Sequence, residues 1–277
     1  MGLFDGLLRR PRRVTDQDTT RELAPGRDRL TFRVGNLQGV GLRERQEDSF
    51  AVVNAASPGQ LARQGLLAVV CDGMGGMLDG KLASQCAVES LLERFQGRDP
   101  GAPVPGWLED SVRGISDHVF RRFSGASGTT LAAVHIREDA LHWVSVGDSA
   151  IFLMREGGVF QLNREHTFLN VLYARELEEE VICRERAEQD EDARRLTSFV
   201  GIDRLQEVDV SLRPWRLRRG DVLLLCSDGI SGVLSPPELL EAMSLEPEEG
   251  CGLLETMISE KGLPAQDNYT GILIACK

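Results

Sequence analysis

The chain has 277 residues, of which 42% are hydrophobic and 27% charged, values typical of a globular protein that buries a sizeable core. Its formal net charge of −11 argues against a nucleic-acid partner, which normally requires a basic face. No apolar stretch approaches the roughly 20 residues that a transmembrane helix needs, so we expect no transmembrane segment.

The first 29 residues combine apolar positions between residues 3 and 8 with a basic cluster at residues 9–13. This pattern is compatible with a short amphipathic surface anchor, but a flexible N-terminal tail over residues 1–29 is the favoured interpretation. The segment has no long apolar core or cleavage site of a signal peptide. Six cysteines without a Cys-x-x-Cys pair or paired metal-ligand spacing favour a reduced, cytoplasmic setting.

The first half of the predicted domain begins with strands and continues with helices. Apolar alternation predicts strands at 30–40 and 49–54, and an uninterrupted apolar run predicts a buried strand at 66–71. Apolar residues at nearly helical spacing then predict helices at 81–95 and 107–123.

The second half returns to strands. Short β-rich runs at 129–136, 141–146 and 151–154 predict an antiparallel meander. A mixed-charge segment at 174–195 has few core residues, which predicts a helical flap exposed to solvent. The alternative interpretation is that this flap selects substrates. The remaining predicted elements are strands at 208–212 and 221–226, helices at 237–243 and 249–261, and a closing strand at 269–275.

Acidic residues recur at the ends of these predicted strands: Glu47 and Asp48, Asp72, Asp228 and Asp267. Strand ends are rigid, and a following glycine lets the backbone turn and offer its carbonyl oxygen. Converging carboxylates cannot be buried without cations, and hard oxygen ligands suit Mg²⁺ or Mn²⁺. An isolated Asp-Gly pair is usually only a turn, so the metal hypothesis depends on the motifs acting together.

The order and wording of six motifs resemble the metal-dependent protein phosphatases of the protein phosphatase 2C family, in a bacterial version, over about residues 30–276. The motifs are Arg43 to Asp48, Asp72 to Gly76, Ser127 to Thr130, Gly147 to Ser149, Ser227 to Gly229, and Asp267 to Thr270. Any one of them is a weak signal, whereas six in register are a strong one.

The resemblance implies an α+β fold, a four-layer α-β-β-α sandwich of two antiparallel sheets flanked by helices. It implies a catalytic domain over residues 30–277, with the charged flap near 166–197. It also implies two Mn²⁺ or Mg²⁺ ions at one end of the sandwich and possible space for a third, weaker ion.

Residue roles carry over by motif position. The resemblance implies that Asp72 bridges two metal ions, that Gly73 adds its carbonyl oxygen, and that Asp228 and Asp267 complete one ion's ligands. Glu47 and Asp48 would act mostly through water on the other ion. Asp148 would bind a third ion, although a tight turn explains this residue nearly as well. Arg43 would grip the substrate phosphate with its planar fork of donors.

The chain departs from the family pattern at three positions. Gln46 replaces an asparagine, Met74 stands where eukaryotic members carry a histidine proposed as general acid, and Ala150 replaces an arginine. The segment around His166 resembles a short family segment that leads into the flap. A lone histidine is more often a packing or hydrogen-bonding residue, so we assign it no catalytic role.

The favoured function is hydrolysis of phosphoserine or phosphothreonine in proteins by a water held between two metal ions. The expected partners are phosphorylated proteins of a cognate Ser/Thr kinase, and a monomer is expected. Two alternatives stay open: a catalytically silent phosphoprotein-binding regulator of the same fold, and a phosphatase of small phosphate esters. The intact Asp72, Asp228 and Asp267 argue against the silent regulator, because clustered carboxylates are costly to maintain.

Overall fold

The computed structural model describes residues 30–74, 79–180 and 183–277. The predicted tail at 1–29 and the second half of the Asp72 to Gly76 motif lie outside these ranges. In chain order, the strands are β1 (Phe32–Gly39), β2 (Ser49–Val53), β3 (Leu66–Cys71), β4 (Leu131–Arg137), β5 (Ala140–Val146), β6 (Ala150–Arg155), β7 (Gly158–Gln161), β8 (Asp209–Val210), β9 (Trp215–Arg216), β10 (Val222–Cys226) and β11 (Tyr269–Cys276). The helices are α1 (Pro58–Gln64), α2 (Gly80–Gln96), α3 (Val104–Phe123), α4 (Phe168–Glu178), α5 (Arg184–Glu188), α6 (Asp228–Ser231), α7 (Pro236–Met243) and α8 (Pro247–Glu260).

The strands form two antiparallel sheets. One has the order β1-β11-β10-β6-β7, and the other has the order β2-β3-β4-β5-β8, with β9 also paired to β5. Helices α2 and α3 cover the outer face of the second sheet, and α7 and α8 cover the outer face of the first. The predicted four-layer α-β-β-α sandwich is therefore confirmed.

Strand β3 shows why its sequence is apolar at every position. Its alternate residues Leu66, Ala68 and Val70 pack between the two sheets, while Leu67, Val69 and Cys71 pack against α2 and α3. A strand that is buried on both faces needs an apolar residue at each position. β10 follows the same pattern between the inter-sheet core and the core beneath α7 and α8.

The predicted meander is wrong in its last step. β4 and β5 pair as expected, but β6 leaves their sheet and pairs with β10 and β7 in the other one. The chain crosses at Gly147, whose φ of 97° is a backbone conformation that favours glycine. A Cβ atom at this position would also lie 2.7 Å from the Thr130 methyl carbon. This crossing carries Asp148 to the end of the sandwich.

The predicted charged flap consists of α4 and α5 in the described residues. Its base is closed by backbone hydrogen bonds, because the Phe168 N–H donates to the Arg195 carbonyl and the Leu169 N–H to the Ala193 carbonyl, each at 2.8 Å. Among the residues described, no helix combines the length and apolar character needed to cross a membrane.

Candidate active site

The first pair of carboxylates is brought together by strand register. Asp48 directly precedes β2 and Asp72 directly follows β3, and Ser49 is paired with Cys71 in these antiparallel strands. Extending that register by one step puts Asp48 opposite Asp72, at a spacing of about 5 Å between Cβ atoms. Asp48 and Asp72 are therefore opposite each other on neighbouring strands, although they are not close in the sequence.

The second pair comes from the other sheet. Cys226 is paired with Gly271 in β10 and β11, and the Ser227 N–H donates to the Thr270 carbonyl at 3.0 Å. Asp228 follows at the start of α6, and Asp267 lies just before β11. Both sheets therefore end in acidic residues at the same end of the sandwich.

Side-chain contacts join the two sheets at this point. The Ser227 hydroxyl donates to Oδ2 of Asp48 at 3.0 Å across the sandwich. Asp72 lies between Asp48 and Asp228, close enough for a proton on Asp72 to be shared with either neighbour. Asp267 lies within electrostatic range of Asp228. We call these four carboxylates, Asp48, Asp72, Asp228 and Asp267, the acidic row.

Burial raises the pKa of Asp48, Asp72 and Asp228, and repulsion between neighbouring carboxylates raises them further. Burial also raises the pKa of Asp148 to about 7, with additional repulsion from Asp228 and Glu165. Without bound cations, the row is therefore partly protonated near neutral pH.

The donor set fits hard divalent cations. Oδ1 of Asp48 and Oδ1 of Asp228 are buried and have no hydrogen-bond partner in the described part of the chain. Such orphaned acceptors are costly unless a cation or water satisfies them. Within the same ranges, no group of three or more His, Cys, Asp or Glu side chains is arranged to hold one ion alone. Carboxylate oxygens are the ligands that Mg²⁺ and Mn²⁺ prefer.

Glu47 and Gly73 lie beside the acidic row. The Glu47 N–H donates to Oδ1 of Asn268 at 2.7 Å, which ties the start of β2 to the start of β11. A Cβ atom added at Gly73 would lie 2.4 Å from the Gly80 carbonyl oxygen and 2.5 Å from the Glu47 carbonyl oxygen. Only glycine therefore fits at position 73 without moving this part of the site.

Arg43 lies at the Asp267 end of the row. Its Nη2 donates to Oδ2 of Asp267 at 2.5 Å, and both side chains are about half exposed. The hydrogen bond to Asp267 raises the pKa of Arg43 above its ordinary value, so the guanidinium remains charged. A cation at the solvent-facing end of an acidic site is well placed to meet an anionic substrate.

Asp148 lies within electrostatic range of Asp72 and Asp228, on the side of the flap residue Arg194. The Gly147 N–H donates to Nδ1 of His166 at 3.1 Å, and His166 is buried. This contact gives His166 a role in holding the turn that carries Asp148, as expected of a hydrogen-bonding histidine. In place of the missing arginine, Ala150 is fully buried at the start of β6.

Three residues that position the carboxylates were not predicted from the sequence. Asn268 also donates from Nδ2 to the carbonyls of Val40 and Arg45, at 2.9 and 3.0 Å. Ser227 provides the link to Asp48, and the Thr130 hydroxyl accepts a hydrogen bond from the Asp72 N–H at 2.9 Å. Each belongs to one of the quoted motifs, and the available signal was a small polar residue within or next to an acidic motif.

Gln46 retains a supporting role despite its departure from the family pattern. Its Nε2 donates to the Gly39 carbonyl at 2.8 Å, and its Oε1 accepts a hydrogen bond from the Asp48 N–H at 2.8 Å. The longer side chain therefore connects β1 to the residue that begins the acidic row.

Known proteins resemble this chain in sequence and in fold. A family model described as protein phosphatase 2C matches residues 45–257. The serine/threonine protein phosphatase PstP of Mycobacterium tuberculosis is 29% identical over 213 residues, which cover 75% of this chain and 40% of that protein. The serine/threonine phosphatase stp of Listeria innocua is 25% identical over 218 residues. These residues cover 75% of this chain and 83% of that protein.

Solved structures give the same result. The crystal structure of M. tuberculosis PstP superposes with a TM-score of 0.72 at 27% identity, over 89% of this chain and 99% of that chain. A second structure, of the PstP catalytic domain in complex with two manganese ions, has a TM-score of 0.69 at the same identity and coverage. The fold is that of these serine/threonine phosphatases, and the chain belongs to the protein phosphatase 2C family.

Proposed function

We propose that this protein is a metal-dependent phosphatase that hydrolyses phosphoserine or phosphothreonine in proteins and opposes a bacterial Ser/Thr kinase. The observation that carries the proposal is the acidic row, in which Asp48 and Asp228 each bury a carboxylate oxygen without a hydrogen-bond partner among the described residues. Support comes from relatives that are named serine/threonine protein phosphatases. The chain spans only 40% of the mycobacterial relative, so its activity is proposed on its own residues.

Two Mn²⁺ or Mg²⁺ ions would be held by the acidic row. Asp72 lies between the other carboxylates and would serve both ions, with the Gly73 carbonyl beside it. Asp228 and Asp267 would hold one ion, while Glu47 and Asp48 would act on the other, mostly through water. Asp148 would take a third, weaker ion. When bound, the ions supply Lewis acidity and a water of lowered pKa for attack on phosphorus.

The chain's own side chains would bind and orient the ester. Arg43 would donate two hydrogen bonds from its planar guanidinium to phosphate oxygens, in place of the hydrogen bond that it donates to Asp267 in this structure. Phosphoryl transfer depends mainly on positioning and electrostatic stabilisation, so an arginine aimed at the phosphate contributes directly. Met74 cannot donate a proton, so help to the leaving group must come from solvent in the site.

The test is phosphate release from an aryl phosphate and then from a phosphothreonine peptide, each with Mn²⁺ or with a chelator. We expect metal-dependent turnover of both. Asp228→Asn should lower turnover by orders of magnitude while the protein still folds. Asp117→Asn, an exposed acid on α3, is the matched control and should retain full activity.

Each other result decides against part of the proposal. Unchanged turnover in Asp228→Asn would overturn the role of Asp228. Turnover of the aryl phosphate without turnover of any phosphopeptide would point to small phosphate esters as substrates. Binding of phosphopeptides without release of phosphate would point to a silent regulator.

A further inference from the structure

A polar cavity of about 520 Å³ lies under the flap. Its lining includes Asn163, Thr167 and Tyr173, together with the three arginines Arg164, Arg184 and Arg194. We call it the flap cavity. A cavity of this size and polarity is suited to a charged side chain and ordered water rather than to an apolar group.

The lining of the flap cavity is locally basic in an acidic protein. Its three arginines are opposed by two carboxylates, Glu165 and Glu188, in a chain whose net charge is −11. Arg184 is engaged, because its Nη2 lies 3.2 Å from Oε1 of Glu188. Arg164 and Arg194 are the two lining arginines that remain for a ligand.

These two arginines are not equally available. Arg164 has a distant partner, with its Nη2 3.9 Å from Oε1 of Glu207. Arg194 makes no hydrogen bond or close ion pair with any residue in the described ranges. Its side chain is exposed. Among the residues described, Arg194 is therefore the lining arginine whose donors have no partner.

Arg194 also lies within electrostatic range of Asp228 in the acidic row and of Asp148 beside it. Its positive charge lowers the pKa of Asp148 and of Asp228, although burial and repulsion from other carboxylates dominate both groups. Arg43 contacts Asp267, the neighbour of Asp228 in the row. Asp228 therefore lies within electrostatic range of both arginines, and Arg194 is the one without a hydrogen-bonded or ion-pair partner in the described ranges.

We propose that the flap cavity binds an acidic side chain of the phosphoprotein, near the phosphorylated residue, and that Arg194 selects it. This proposal rests on the proposed function. Phosphate bound at Arg43 leaves the polypeptide on either side of it to cross the site, and a carboxylate reaching the flap cavity would meet the donors of Arg194. A guanidinium binds a carboxylate with two parallel hydrogen bonds, which gives specificity as well as attraction.

The test compares phosphothreonine peptides that carry Glu or Gln at one position within three residues of the phosphothreonine, on either side. The wild-type protein with Mn²⁺ should show a kcat/KM for the Glu peptide roughly two- to fivefold higher than for the Gln peptide at one or more positions, as expected for a partly exposed ion pair. This ratio should fall as ionic strength rises.

Variants of two neighbouring arginines provide the control. Arg194→Gln should bring the ratio close to one, and Arg194→Glu should invert it. Arg195→Gln should leave it unchanged, since Arg195 already pairs with Asp192 and stacks over Phe168. Thermal midpoints should confirm that every variant folds.

Two results would overturn the assignment of Arg194. One is equal turnover of Glu and Gln peptides by the wild-type protein at every position. The other is a preference for Glu that persists in Arg194→Gln. By contrast, turnover of an aryl phosphate without turnover of any peptide would refute the protein substrate itself, and the flap-cavity proposal with it.

Discussion

Arg43 and Asp267 form an ion pair, with 2.5 Å between Nη2 and Oδ2, although the two residues are 224 positions apart in the chain. This pair connects the residue proposed to bind phosphate with a residue proposed to bind metal. A cation at Asp267 and the guanidinium of Arg43 would compete for the same carboxylate, so metal binding would free Arg43 for the substrate.

Arg43→Gln should therefore affect substrate and metal in opposite directions. We expect KM for an aryl phosphate to rise about tenfold, because a charge-assisted hydrogen bond is lost. Mn²⁺ affinity should be unchanged or higher, as measured by isothermal titration calorimetry. Arg45→Gln, an exposed arginine in the same loop, should change neither quantity. A loss of Mn²⁺ affinity in Arg43→Gln would contradict the competition.

The stability of the metal-free protein should fall as pH rises. The folded-state pKa of Asp148 is raised to about 7, mainly by burial, so its contribution to stability is complete below about pH 4 and is lost as pH increases through about 7. Chemical denaturation with a chelator present should show this decline between pH 5 and 8.

Asp148→Asn should reduce that decline and stabilise the metal-free protein at pH 8 by about 2 kcal/mol, because no charge is then buried there. The exposed Asp203→Asn should follow the wild-type pH profile. Identical profiles for Asp148→Asn and the wild type would argue against Asp148 as a source of the pH dependence.

Ser227→Ala should weaken metal binding without touching a proposed ligand. Its hydroxyl donates to Oδ2 of Asp48, and loss of such an outer hydrogen bond typically lowers metal affinity by about 10- to 100-fold. Calorimetric titration with Mn²⁺ would measure the change directly. Ser259→Ala, on an exposed position of α8, is the control, and equal affinities for the two variants would rule out a positioning role.

Two glycine substitutions should have opposite effects on stability. Gly73→Ala would place Cβ within 2.5 Å of two carbonyl oxygens, so we expect it to lower the free energy of unfolding by about 2 kcal/mol. Gly59→Ala meets nothing within 4 Å in α1 and should raise that free energy by about 0.5 kcal/mol. Urea denaturation of the metal-free variants would show both signs, and a stable Gly73→Ala would mean that the backbone adjusts.

Much of the fold could be predicted because a strand that is buried on both faces has an uninterrupted apolar sequence. The uninterrupted run of β3 was predicted with both boundaries correct, and the amphipathic α2 to within one residue. The short α1 and β7 were missed, since a few half-buried residues carry little periodicity. The prediction of the meander was wrong in its last step because the alternation of apolar residues in β6 does not show which sheet the strand joins.

The carboxylates could be predicted from the sequence because each belongs to a short motif at the end of a strand. Such motifs are recognisable from adjacent residues alone. Their order in the acidic row, the ion pair of Arg43 with Asp267, and the hydrogen bond from Ser227 to Asp48 came only from the tertiary structure. Local pattern determines which residues reach the ends of strands. Which of them touch depends on how two sheets pack, and that packing is decided by the whole core rather than by any one segment.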